Sequence, residues 1–243
     1  MLRNIKLEIE YDGTDFYGWQ VQPKLRTVQG EIQDRLNIIL KHEVNLIGSG
    51  RTDVRVHALR QVANFKTDTP LDGESILRAL NGLLPDDVVI TKVEEVDLDF
   101  NARYNAKSRL YKYRVYLGRT AILRRYVWEV LYSLNLNKIV EATDEISGEH
   151  DFSSFCVAES IKENNVCKVM SSTWEKSENE LVFVIEADRF LHTMVRTLVG
   201  TLIDVGRGYF SVLDFVKILK AKDRRKAGPT APACGLYLVE VKY

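Results

Sequence analysis

The feature that most limits how this chain can fold is the way its hydrophobic period alternates along the first 96 residues. K-L-E-I-E-Y, Lys6 to Tyr11, repeats every second residue, with Leu7 and Ile9 on one side, as a strand does. Turn residues D-G-T follow at 12–14. Thr27 is placed to cap a helix that runs V-Q-G-E-I-Q-D-R-L-N-I-I-L-K, whose apolar positions Val28, Ile32, Leu36 and Ile39 recur at helical spacing. Asn45–Gly48 and Val56–Lys66 read as strands. Asp72 or Gly73 opens a second helix that Pro85 ends, and Asp87–Val96 is a fourth strand. The order β-α-β-β-α-β is that of a ferredoxin-like unit.

The remainder repeats the theme more loosely. A long strand is predicted over 108–117, a helix over 137–146, and two strands at 169–176 and 180–186. An amphipathic helix over 190–205, a short helix over 212–221 and a last strand over 235–241 complete it. No sequence identity links the halves, so the repeat is architectural. The expected division is 1–106 and 107–243, without a Pro- or Ser-rich linker, as for two units that share a continuous surface. No stretch reaches the ~18–20 apolar residues of a membrane span, and M-L-R-N-I-K-L-E-I-E-Y reads as a strand and not as a signal peptide. The expectation is a cytoplasmic protein. The three cysteines, Cys156, Cys167 and Cys234, are odd in number and lack C-x-x-C spacing, and the four histidines are scattered. That pattern argues against a disulfide framework and a zinc site.

Net charge is zero, but its distribution is uneven: 13 Lys+Arg against 17 Asp+Glu in residues 1–106, and 21 against 17 in 107–243. From Phe100 to Trp128 there is no acidic residue. Arg103, Lys107, Arg109, Lys112 and Arg114 lie there among Tyr104, Tyr111 and Tyr113. Cations suit phosphates and aromatic faces suit unstacked bases. The same composition also serves an edge strand whose charges deter aggregation.

Four motifs carry possible chemistry, each with a plain alternative. Tyr11–Pro23, Y-D-G-T-D-F-Y-G-W-Q-V-Q-P, is either a turn-rich loop or a loop that brings Trp19 and Gln20 to a polyanion. R-T-D at 51–53 sets Asp53 beside Arg51: a surface turn, or a carboxylate kept ionised by its neighbour. On the 108–117 strand, alternation puts Arg109, Tyr111 and Tyr113 on one face, able to hold a flipped base or simply half-buried. His192 and Arg196, four apart, would share a helix face, where Arg196 either pairs with a carboxylate across a cleft or is simply an exposed arginine of an amphipathic helix.

Taken together and in order, these segments closely resemble the TruA-type tRNA pseudouridine synthases. The matching motifs are Y-D-G-T-x-F-x-G-W-Q-x-Q-P, G-x-G-R-T-D-x-x-V-H-A-x-x-Q-V-A-N-F, N-A-R-x-x-A-K-S-R-x-Y-x-Y, G-x-H-D-F-S-S-F, F-L-x-x-M-V-R-x-L-V-G-T-L-x-x-V-G-R-G and A-G-P-T-A-P-A-C-G-L-Y-L. They span nearly the whole chain. The resemblance implies an α+β fold of two ferredoxin/RRM-like halves, with antiparallel sheets joined side by side, helices on one face and the active cleft between the halves. It implies Asp53 as the catalytic aspartate, Tyr111 as the ring that stacks on the target uracil, and Arg196 as an arginine paired with the aspartate. Arg51 falls in the RNA-contacting part of the site, and Arg55, Lys107, Arg109, His57 and Gln61 are further expected RNA contacts. It also implies a homodimer that binds tRNA, targets uridines 38, 39 and 40 of the anticodon stem-loop, and uses neither cofactor nor metal.

Two positions depart from the family pattern. Arg55 stands where the family usually has Gly: a positive φ there would strain it, but the expectation is a backbone that tolerates Arg55 and a cation at the cleft rim that meets phosphate. His192 replaces a frequent Tyr. Two other classes stay in view. A silent RNA-binding protein would have lost Asp53, Tyr111 or Arg196, and all are present; the RRM signature is absent. A glycosidase would need a second catalytic acid, which no motif nominates.

Overall fold

The computed structural model describes residues 1–157 and 163–243, which form two compact units, Met1–Lys107 with Tyr237–Tyr243, and Ser108–Leu236. The last seven residues therefore return to the first unit. Among the described residues no helix is long and apolar enough to cross a membrane.

In the first unit, β1 (Arg3–Tyr11) pairs antiparallel with β3 (His57–Thr67) and with β4 (Val88–Val96). A two-residue β2 (Ile47–Gly48) adds to β3, shorter than the expected 45–48. At the far end of β3, β10 (Leu236–Lys242) joins in parallel, Tyr237 opposite His57. The order β4-β1-β3-β2 is that of the ferredoxin-like unit. Ile5, Leu7 and Ile9 alternate into the core, fully buried.

Helix α1 (Val28–Leu40) begins where predicted, with the Thr27 side chain accepting from Gly30 N, and buries Val28, Ile32 and Leu36. Its stripe ends on Leu40, not Ile39. Helix α2 (Gly73–Leu83) is capped by Asp72 and buries Ile76 and Leu80. The opposite side of β1 and β3 holds a buried amide pair. Asn64 donates to Asn4 Oδ1 (2.9 Å) and accepts from Ala102 N (2.9 Å), and Asn4 donates to the carbonyls of Asp97 (2.8 Å) and Phe100 (2.9 Å). These bonds satisfy both amides and fix the path of residues 97–102.

The second unit is built on β5 (Ser108–Leu117), β9 (Glu180–Ala187), β8 (Val166–Lys176) and β7 (Gly148–Asp151), antiparallel in that spatial order. A short β6 (Trp128–Val130) lies parallel to β5. Neither β6 nor β7 was expected, since three or four residues are too few for a period to register. Helices α3 (Leu136–Asp144), α4 (Met194–Gly206) and α5 (Val212–Ala221) pack against one another. Helix α4 starts four residues later than the expected 190. Thr193 is left-handed (φ 64°), so His192 lies outside the helix, exposed, and shares no helix face with Arg196.

Candidate active site

Asp53 sits between β2 and β3 on a segment held by the loop after β1. Tyr11 Oη hydrogen-bonds Thr52 Oγ1 (2.8 Å), and Thr52 O accepts from Trp19 N (3.1 Å). Phe16 O accepts from Arg55 N (3.2 Å). Gly18 is required where the two loops cross: its φ is 86°, and a Cβ there would lie 2.6 Å from Thr52 O. Trp19 is buried and ring-packed on Tyr11, so the loop reading prevails for Tyr11–Pro23. It is a collar for the Asp53 segment, and Trp19 is not offered to a ligand.

Arg26 fixes the far end of that collar. Its guanidinium donates to both Asp87 oxygens (2.7 and 2.8 Å) and to Glu31 (3.0 Å), and lies 4.1 Å from the Phe16 ring centroid. The hydrogen bonds to Asp87 hold the guanidinium's pKa above its ordinary value. The sequence reading assigned Arg26 no role, because its partner Asp87 is 61 residues away.

Asp53 O accepts from Val56 N (3.2 Å), which closes a four-residue turn. Arg55 is its third residue, with φ 64°, the sign a type II turn demands and glycine supplies best. The positive φ that would strain Arg55 is therefore present, and the backbone is not one that accepts the side chain freely. Asp53 is half-buried, while Arg51 and Arg55 are exposed.

His57 and Gln61 were expected to touch RNA, but both side chains are buried (2% and 0% exposed). His57 Nδ1 stands 3.1 Å from both Gly13 N and Asp12 Oδ1, and its ring stacks on Tyr237 at 4.7 Å. Gln61 accepts from Ser49 Oγ (2.6 Å) and donates to Gly50 O (3.2 Å). Each fixes a flank of the R-T-D segment from within. Lys107 is exposed, and its N–H donates to Lys242 O (2.8 Å).

In the second unit Tyr111 lies on β5 opposite Ile185, half-buried, with Phe190 edge-on at 5.0 Å. Arg109 donates to Asp188 O (2.8 Å). Tyr113 shares their face but is fully buried. It donates to Pro232 O (2.7 Å), and burial pushes its hydroxyl well above the usual range. Of the two tyrosines, Tyr111 alone is not fully buried. On the other face Arg114 pairs with Glu180, and burial lowers the Lys112 ammonium, as does Arg114.

Arg196, in the first turn of α4, is half-buried, and is not the exposed helix arginine of the plain reading. Its Nε donates to Ala231 O (2.8 Å), and Ala231 N returns a bond to Arg196 O (3.1 Å). The A-G-P-T-A-P-A segment lies flat on α4, with Gly228 N donating to Thr201 Oγ1 (3.0 Å). Gly200 permits this approach, because a Cβ there would lie 1.8 Å from Pro229 O. Arg224 braces the segment from behind through Gly228 O and Thr230 Oγ1, both at 3.0 Å.

Comparisons with known proteins give the family. The family model for tRNA pseudouridine synthase matches residues 8–105 and 142–243. Relatives named tRNA pseudouridine synthase A span the full length of both chains. That of Caldicellulosiruptor saccharolyticus is 46% identical over 244 residues, that of Thermoanaerobacter sp. 44% over 245, and that of Acetivibrio thermocellus 43% over 244. The chain belongs to the tRNA pseudouridine synthase family, a family of isomerases.

Proposed function

We propose that this protein isomerises uridine to pseudouridine at positions 38, 39 and 40 of the tRNA anticodon stem-loop. It does so as a cytoplasmic homodimer, with Asp53 as the catalytic residue and without a cofactor. The observation that carries the reading is full-length family similarity combined with a collar that fixes the segment bearing Asp53. The reaction breaks N1–C1′ and joins C1′ to C5; N1 gains a proton and C5 releases one, so no atom is added or lost. The target base must first leave the stack, at a cost of a few kcal/mol. Tyr111, held in a T-shaped contact with Phe190, offsets part of that by stacking.

Asp53 serves either as a nucleophile at C1′ or as a base at C2′ that yields a glycal. Both routes need the carboxylate ionised, a role given to Arg196 and Arg51. Arg109 and Lys107 contact the RNA backbone. The test is tritium release from tRNA labelled at uracil C5. The unaltered protein releases tritium from uridines 38–40, and Asp53→Ala lowers the rate at least ~10³-fold while still binding tRNA. No release by the unaltered protein would sink the reading. Light scattering tests the dimer separately.

A further inference from the structure

Most arginines that the fold uses are already committed: Arg26 to Asp87 and Glu31, Arg114 to Glu180, Arg224 to the 228–230 segment. Arg55 is different. It is exposed, and among the described residues no carboxylate pairs with it. It occupies the third position of the Asp53–Val56 turn at φ 64°, where a side chain is unfavourable and glycine would relieve the turn. The backbone cannot relax, because Arg55 N is bonded to Phe16 O and Val56 N to Asp53 O. A cation is thus kept two residues from Asp53 at a position its own backbone disfavours.

We propose that Arg55 is a phosphate-binding residue that grips the RNA backbone beside the target uridine, at the expense of the protein's own stability. The proposal rests on the function proposed above. It separates two properties that an incidental surface arginine would not, because removing the side chain moves stability and affinity in opposite directions. The cation reads the backbone and not the base, so it adds affinity at each of the three uridines alike and steepens the salt dependence of binding.

The experiment compares Arg55→Gly, Arg55→Gln and Arg55→Lys for melting temperature and for tRNA dissociation constant across a salt series. Arg55→Gly is expected to melt about 2 °C higher, to bind tRNA about tenfold more weakly at low salt, and to lower the slope of log K against log salt by about 0.7–1. Arg55→Gln loses the same affinity without the gain in melting temperature. Arg55→Lys keeps the slope. An Arg55→Gly protein that binds tRNA with unchanged affinity and slope would overturn the proposal. Binding is read separately from tritium release, so a failure here is distinct from a failure of the isomerase reading.

Discussion

Asp53 and Arg196 each lie within three residues of a left-handed position, Arg55 and Thr193, both at φ 64°. The surroundings differ. Arg55 is exposed, in a turn whose backbone groups are bonded to a second loop. Thr193 precedes α4 without capping it, and its Oγ1 is buried with no hydrogen-bond partner among the described residues. The first unit positions its carboxylate by main chain against main chain, helped by Tyr11. The second positions its guanidinium through a regular helix and a segment laid on it. A loop site built that way tolerates side-chain change but not backbone change, whereas the helix site depends on how closely two pieces of chain approach.

The sharpest way to break the contrast is Gly200→Ala. The new methyl would meet Pro229 O, so the 228–231 segment must lift from α4. We expect a loss of about 3 kcal/mol and a fall in melting temperature of roughly 10 °C, with activity reduced because Arg196 loses Ala231. Calorimetry beside tritium release checks it; a mild effect on both would show that the segment is not needed to place Arg196. A smaller effect is expected from Tyr11→Phe, which leaves Thr52 Oγ1 without its buried partner. The cost is about 1–2 kcal/mol, and a lowered kcat at unchanged KM for tRNA would mark Tyr11 as positioning the Asp53 segment. The smallest effect has the opposite sign. Thr193→Gly removes a β-branched residue from positive φ together with a buried, unbonded hydroxyl, and should raise stability by about 1 kcal/mol. If chemical denaturation shows a loss instead, the Thr193 methyl is packing at the helix start.

Much of this was legible in the chain, and what was not has physical causes. The first unit's helices were readable because Thr27 and Asp72 are caps followed by apolar residues at helical spacing. The start of α4 was not, since F-L-H-T extends the apolar pattern of the helix and only the backbone reveals the reversal at Thr193. Asp53 and Tyr111 stood out through motif resemblance. The roles of His57 and Gln61 did not, because polar side chains inside a motif look alike whether they face RNA or brace a loop from within; burial separates them. Arg26, Asn64 and Gly200 went unnoticed for a common reason: each acts on a partner far away in sequence, Asp87, Asn4 and Pro229.

The return of β10 to the first unit has a consequence for biosynthesis. Tyr237, which stacks on His57 beside the R-T-D segment, is made after all of residues 108–236. During translation the first unit therefore waits, with one edge of the start of β3 open and His57 without Tyr237, until the second has been synthesised. The segment that bears Asp53 is therefore fully flanked only after Tyr237 has been made, although the segment itself precedes it by about 180 residues.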